Sequence, residues 1–226
     1  MTIEFSCDGK TYHGVEGQNV AEALKQNGIE VPTLCYSEGI EPCLGTCRVC
    51  MVEIDGRPQA SCTQKLSQNM KIEVEREDLK EMRKAITELM FVEGNHYCPS
   101  CEKSGDCELQ GLGYKMGITH SEFPYQFTHY QLDYSGEQLL LERNRCVHCK
   151  RCTDLFVDDH GHKVFSFEGK GAQTRVQMNH QLESTLSTHK RYQAMELCPV
   201  GAIIYKGKGF DRPIGERKYD QWGTNE

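Results

Sequence analysis

Thr46-Cys47-Arg48-Val49-Cys50-Met51-Val52-Glu53-Ile54-Asp55-Gly56 opens with two cysteines separated by two residues and runs straight into an apolar–polar alternation that closes on Asp-Gly. Period-two alternation ending in that dipeptide predicts a strand entering a tight hairpin turn. Upstream the pattern repeats: Ile3 to Ser6 alternates, Asp8-Gly9 offers a second hairpin, and Thr11 to Val15 resumes the extended reading. Asn19 is placed to cap a helix with Val20, Ala23 and Leu24 on one face, and Asn27-Gly28 stops that helix before Pro32. Downstream, Met70 to Val74 reads as a closing strand.

Two hairpins, one helix and a final strand over residues 1–76 predict a β-grasp sheet. From Asp78 to Phe91, Leu79, Met82, Ala85, Ile86, Leu89 and Met90 recur at helical spacing with charges between them, a stripe expected of ordinary packing. Gly94-Asn95 ends that helix, and Gly111, Gly113 and Gly117 suggest turns and short helical pieces. Residues 131–226 carry short strands such as Lys163 to Phe167, then a glycine-punctuated charged stretch from Lys206 to Glu226 that reads as an extended arm. The expectation is an α+β chain of three modules, 1–76, 77–130 and 131–226.

Apolar residues are only 38% of the 226, and mean hydropathy is −0.61, thin for several independent cores. Something besides apolar burial must staple the modules. Acidic residues outnumber basic ones, 33 to 26, which argues against a nucleic-acid binder because phosphate neutralisation needs a basic field. Leu139-Leu140-Leu141 is the longest aliphatic run, too short for a membrane span, and the N-terminus lacks the basic and apolar regions of an export signal. A cytoplasmic location is expected. Thirteen cysteines in a reducing compartment then point to metal thiolates rather than disulfides.

Those cysteines fall into three groups. Cys35-x11-Cys47-x2-Cys50-x11-Cys62 presents a broad loop, a tight pair and a remote fourth donor. It shares the last two features with plant-type [2Fe–2S] sites but has a longer first gap. A zinc site is the weaker alternative, since zinc ribbons usually supply two short knuckles and one is present here. Cys43, inside the same loop, reads as a packed or spare thiol, and Cys7, in an alternating strand, as a small core residue.

Cys146-x2-Cys149-x2-Cys152 matches the opening of a bacterial [4Fe–4S] motif, and Cys198-Pro199 matches its close. In two-cluster ferredoxins the closing cysteine of each run serves the other cluster. Counting back from Cys198 meets Ala194, Arg191 and Thr188, and counting forward from Cys152 meets Phe156, so the ligands of a second cluster are missing. One [4Fe–4S] centre held by Cys146, Cys149, Cys152 and Cys198 remains, with a zinc knuckle as the alternative. Cys98, Cys101 and Cys107 offer three thiolates where a cubane wants four donors, and His96 is the nearest further candidate; a merely hydrogen-bonded ring is the alternative. An imidazole in place of a thiolate lowers the negative charge and eases electron addition, as in Rieske centres.

The stretches Arg48-Val-Cys-Met-Val-Glu, Cys98-Pro-Ser-Cys-Glu-Lys-Ser-Gly-Asp-Cys-Glu-Leu-Gln and Arg145-Cys-Val-His-Cys-Lys-Arg-Cys resemble the N-terminal iron–sulfur region of the large electron-input subunit of respiratory complex I and of iron-only hydrogenases. With Phe91-Val-Glu-Gly-Asn-His-Tyr-Cys, the chain looks most like the small diaphorase (gamma) subunits of cytoplasmic NAD-reducing [NiFe] hydrogenases. The resemblance implies one [2Fe–2S] and two [4Fe–4S] clusters in a non-catalytic electron-transfer subunit. It also implies a heterotetramer with a flavoprotein diaphorase subunit, which carries the FMN and NAD sites, and with the small and large [NiFe] hydrogenase subunits. One departure stands out: the family spaces its histidine as H-x3-C, whereas here His96 precedes Cys98 by two and Gly94 occupies the usual position.

The chain has no GxGxxG fingerprint and no P-loop, so no nucleotide or flavin site is expected on it. The basic residues from Lys206 to Lys218 read as a solvated tail, and His120, His129, His148, His160, His162, His180 and His189 as surface or structural groups. Two other readings share features with this one: an electron-input subunit of an NAD-linked formate dehydrogenase or complex I-like assembly, and a zinc-stabilised interaction protein. Partner capture separates the first, and the absorbance and metal content of the purified chain the second.

Overall fold

Asp8 and Gly9 take φ of 47° and 77°, and Asp55 and Gly56 take 48° and 80°. Positive φ at both central residues is the type I′ geometry whose twist matches antiparallel strands. The first turn joins β1 (Thr2–Cys7) to β2 (Lys10–Val15), and the second joins β3 (Met51–Ile54) to β4 (Arg57–Ala60). β5 (Lys71–Glu73) lies between the hairpins, parallel to β1 and antiparallel to β3, giving the order β2-β1-β5-β3-β4. Ile3, Phe5 and Cys7 share one face of β1 and pack with Ile54, Ile72 and Leu24, the last on α1 (Val20–Gln26). This is the expected β-grasp arrangement.

The computed structural model describes residues 1–40, 42–126, 128–157 and 160–221. The chain divides into two compact units, Met1–Thr87 and Glu88–Glu226. Helix α2 (Glu77–Val92) begins in the first unit, where the buried Arg83 donates to the carbonyls of Met51 and Val74, both at 2.9 Å. A buried guanidinium thus ties helix to sheet, its charge shared with two carbonyl dipoles, while Leu79 of the same helix is also buried.

The second unit is built from small pieces. β6 (Leu139–Leu141) pairs with β9 (Ile203–Tyr205), and β7 (Phe165–Glu168) with β8 (Arg175–Met178). The helices are α3 (Glu108–Lys115), α4 (Arg151–Leu155), α5 (His180–Thr185) and α6 (Thr188–Leu197). Much of its interior is polar. The fully buried Glu183 carboxylate accepts from the backbone N–H groups of Glu137 at 2.6 Å, Gln138 at 3.1 Å and Leu139 at 3.2 Å, with Arg191 at 3.4 Å. Such charge-assisted bonds fix the entry to β6 where a larger core would have done so by packing.

The C-terminal stretch differs from the extended, solvated arm that its composition suggested. Tyr219 N–H donates to the Gly105 carbonyl at 2.8 Å, Arg217 to the Ser104 carbonyl at 3.0 Å, and Arg212 to the Asp106 carboxylate at 2.8 Å. Arg212 and Arg217 are therefore tied to the segment around Asp106, while Lys208 and Lys218 stay exposed to water. Residues 222–226 of that arm lie outside the described residues.

Candidate metal centres

In the first unit, Gly45 and Arg48 adopt φ of 61° and 59°, left-handed turns that fold the cysteine loop back on itself. The Cys35 N–H donates to Cys47 Sγ at 3.3 Å, and the sulfurs of Cys50 and Cys62 stand 3.2 Å apart, too far for a disulfide. All four residues are buried. Cys43, which sequence spacing left as a spare thiol, comes closer than expected: its Sγ and those of Cys35 and Cys62 all lie within 4.8 Å of one another.

The electrostatics of this sulfur cluster are mutual. Hydrogen bonds from the Cys47 and Cys62 thiols hold the Cys35 thiol far below its usual range, and the Cys62 thiol pulls Cys50 down to about 7. Cys47 and Cys62 are pushed up in turn, by those same bonds and by burial. Protons shared among crowded, buried sulfurs are what cationic iron displaces, taking the sulfurs as thiolates. The donor set fits a binuclear iron–sulfur centre.

The second group lies between α2 and α3. Cys98 opens a single 3₁₀ turn whose end is marked by the Cys101 N–H donating to the Cys98 carbonyl at 3.1 Å, and Cys107 caps α3 by accepting from the Gln110 N–H at 3.5 Å. Burial pushes the Cys107 thiol up to about 12, and burial also raises Cys98 and Cys101. Beside them, burial and the Arg145 charge hold His96 neutral, lowering it to about 4 against a raising hydrogen bond with the Met90 backbone. Its Nε2 atom is buried and has no hydrogen-bond partner. An orphaned imidazole nitrogen two residues before Cys98 fits, by its chemistry, a fourth donor to iron, and its ring faces Gly94 and the Asn144 carbonyl.

The displaced histidine has a geometric explanation. A Cβ built on Gly94 would stand 2.5 Å from His96 Nε2 and 2.9 Å from the Asn144 carbonyl. The His96 ring thus reaches back into the space that a side chain at position 94 would enter, so the shorter spacing and the glycine compensate each other.

In the third group, His148 and Lys150 take φ of 52° and 63°. Left-handed backbone at two non-glycine residues costs energy, and here it winds the loop so that Cys146, Cys149 and Cys152 line one cavity. Cys198, at the end of α6, lines the same cavity, with Leu141 and Phe167 among its apolar walls. Burial and the neighbouring sulfurs raise the thiols of Cys146 and Cys152. Four sulfurs around one apolar hollow fit a cubane, whose charge would supply what makes the thiolates stable there.

Spacing alone did not reveal the charged residues around these loops. Arg151 is 6% exposed and forks onto Glu108, both contacts at 2.8 Å, tying the residue before Cys152 to the residue after Cys107. Arg145, the residue before Cys146, reaches the Glu102 carboxylate at 2.6 Å, next to Cys101. Their only sequence signal was position: each charge adjoins a cysteine.

Three family descriptions match the chain in succession: a 2Fe-2S iron-sulfur cluster binding domain over residues 1–77, the NADH-ubiquinone oxidoreductase-G iron-sulfur binding region over 83–122, and the ferredoxin-like domain of NADH-quinone oxidoreductase subunit 3 over 136–204. The chain is 42% identical over 221 residues to the gamma subunit of the NAD-reducing hydrogenase HoxS of Cupriavidus necator, covering 97% of this chain and 94% of that one. It is 29% identical over 205 residues to the NADH-ubiquinone oxidoreductase 75 kDa subunit of Reclinomonas americana, covering 90% of this chain but only 29% of that longer protein. Among solved structures it resembles a chain of an NAD+-reducing [NiFe]-hydrogenase in the H2-reduced state, with TM-score 0.87, 36% identity, and coverage of 97% and 94%.

Proposed function

Since this chain belongs to the gamma-subunit family of NAD-reducing hydrogenases, the iron–sulfur electron-transfer subunits of those oxidoreductase complexes, we propose that it relays single electrons between a [NiFe] hydrogenase pair and a flavoprotein carrying FMN and NAD, and does no bond chemistry itself. The proposed ligands are Cys35, Cys47, Cys50 and Cys62 for a [2Fe–2S] centre. His96, Cys98, Cys101 and Cys107 would hold one [4Fe–4S] centre, and Cys146, Cys149, Cys152 and Cys198 the other. When bound, such clusters supply one-electron redox chemistry.

The chain's own residues hold and tune those centres. Backbone N–H groups of Cys35 and Gln110 point at the sulfurs of Cys47 and Cys107, the kind of bond that stabilises added negative charge. Arg145 and Arg151 bring cationic charge beside the second and third groups, and neutral His96 keeps the second less negative than an all-cysteine set. The modules 1–76, 77–130 and 131–226 each carry one centre in this reading. None of the helices among the described residues is long and apolar enough to cross a membrane, and reduced thiols suit a cytoplasmic enzyme.

The observation that carries the proposal is the convergence of Cys198 on the cavity lined by Cys146, Cys149 and Cys152, together with the orphaned Nε2 of His96, two residues before Cys98. The test is omission from the assembled complex. Without this chain, hydrogen-driven dye reduction and NADH-driven dye reduction persist on the partner subunits while hydrogen-driven NAD+ reduction disappears, and adding the chain back restores it. Undiminished hydrogen-driven NAD+ reduction in its absence contradicts the relay.

A further inference from the structure

Of the contacts between the loops that carry the second and third cysteine groups, two involve the backbone of the turn after Cys198. The Glu108 N–H donates to the Pro199 carbonyl at 2.8 Å. Glu108 follows Cys107 and Pro199 follows Cys198, so one backbone hydrogen bond connects residues that adjoin a proposed ligand on either side. At the other end of the same turn, a Cβ built on Gly201 would stand 2.6 Å from Cys101 Sγ, well inside contact distance. Gly201 does not take positive φ, so its backbone would admit any residue. Closeness to sulfur is what requires glycine there.

We infer that the turn Cys198–Gly201 is the electron crossing between the two [4Fe–4S] sites, with the Glu108 N–H to Pro199 carbonyl bond as its link and Gly201 as the positioning residue that lets the turn lie against Cys101 Sγ. This rests on the ligand assignment made under the proposed function. One centre is oxidised by one electron as the other is reduced; no bond is made or broken and no proton moves. A second backbone bond, from the Asn95 N–H to the Asn144 carbonyl at 2.7 Å, also spans the two loops, but Asn144 stands two residues from Cys146 whereas Pro199 adjoins Cys198 directly.

The hydrogen bond is separable from the Glu108 side chain. Glu108 is the first residue of α3, whose φ proline accepts, and Cys107 before it has φ −82° and ψ 119°, which proline accepts in its predecessor, while the ring Cδ in place of the amide hydrogen parts the Glu108–Pro199 contact. Glu108→Pro and Glu108→Ala both lose the carboxylate paired with Arg151, and only the proline variant loses the N–H. Freeze-quench EPR on the assembled complex, reduced with hydrogen, follows the two cubane signals as electrons redistribute between them, alongside iron and sulfide analysis of each variant. Expected are full iron in both variants, severalfold slower redistribution in Glu108→Pro than in Glu108→Ala, and a similar slowing in Gly201→Ala. Equal rates in Glu108→Pro and Glu108→Ala, or iron lost from the proline variant alone, overturn the inference: the first makes the bond irrelevant to transfer, the second makes it structural. A wild-type chain with iron for only one cubane contradicts the ligand assignment itself, and the crossing with it.

Discussion

The Asn19 side chain donates to the Cys62 carbonyl at 2.6 Å while its oxygen accepts from the Ala21 N–H at 2.9 Å. One buried amide therefore starts α1 and fixes the last cysteine of the first group. Asn19→Ala should cost about 1 kcal/mol for the cap and about 1–3 kcal/mol more for the stranded buried carbonyl. Asn19→Asp keeps the cap and loses the donor. Both variants should shift the EPR signal of the [2Fe–2S] centre and lower stability in anaerobic denaturation, Asn19→Asp because its buried carboxylate faces the Cys62 carbonyl; unchanged spectra would detach Asn19 from the site.

His96 offers a charge experiment. Replacing a neutral imidazole by a thiolate adds one negative charge to the centre, which disfavours the added electron. His96→Cys should retain iron and lower the potential of a single cubane in an EPR-monitored titration. His96→Ala should alter that same signal and leave the other two centres untouched. Identical potentials in wild type and His96→Cys would remove this residue from the ligand set.

Cys7 makes a pH prediction. Burial first, then the Asp8 carboxylate, push its thiol up to about 12. A folded-state value above the unfolded one favours the folded chain fully at pH below about 8.5, the unfolded thiol value, and loses that contribution as pH climbs toward 12. Cys7 should therefore resist alkylation at pH 8.5 in the folded protein and react once the chain is denatured. Alkaline destabilisation should be shallower in Cys7→Ala; rapid alkylation of Cys7 in the folded chain would contradict the assignment.

The C-terminal arm can be lifted with one methyl group. The Tyr219 ring lies against Gly111 in α3 so closely that a Cβ there would overlap it. Alanine is favoured over glycine within a helix by about 1 kcal/mol, so Gly111→Ala should leave α3 intact while displacing the arm. Tryptic cleavage after Arg217 and Lys218 should accelerate markedly, and an unchanged rate would mean that the arm is held elsewhere.

Local chemistry made the first unit readable. Asp8-Gly9 and Asp55-Gly56 demand their turns, alternation marks the strands between them, and Asn19 announces α1 because its side chain competes for helix N–H groups. The cysteine spacings pointed to the convergence of Cys198 on Cys146, Cys149 and Cys152 because motif and closing Cys-Pro are both short-range patterns. What stayed illegible depends on contacts between distant residues. The loop bearing Cys43 has no periodicity, so nothing announced its approach to Cys35 and Cys62. The basic arm looked solvated because its partners, Asp106 and the carbonyls of Ser104 and Gly105, lie about a hundred residues away. Gly94 and Gly201 looked like ordinary glycines until the His96 ring and Cys101 Sγ were placed beside them.

The central claim is that three donor groups hold three iron–sulfur centres, and metal stoichiometry tests it most directly. Iron and acid-labile sulfide measured on the anaerobically purified chain should reach about ten of each per polypeptide, the sum for one binuclear centre and two cubanes. About two irons would leave only the binuclear site, and a folded, colourless chain with zinc and no iron or sulfide would contradict the account altogether.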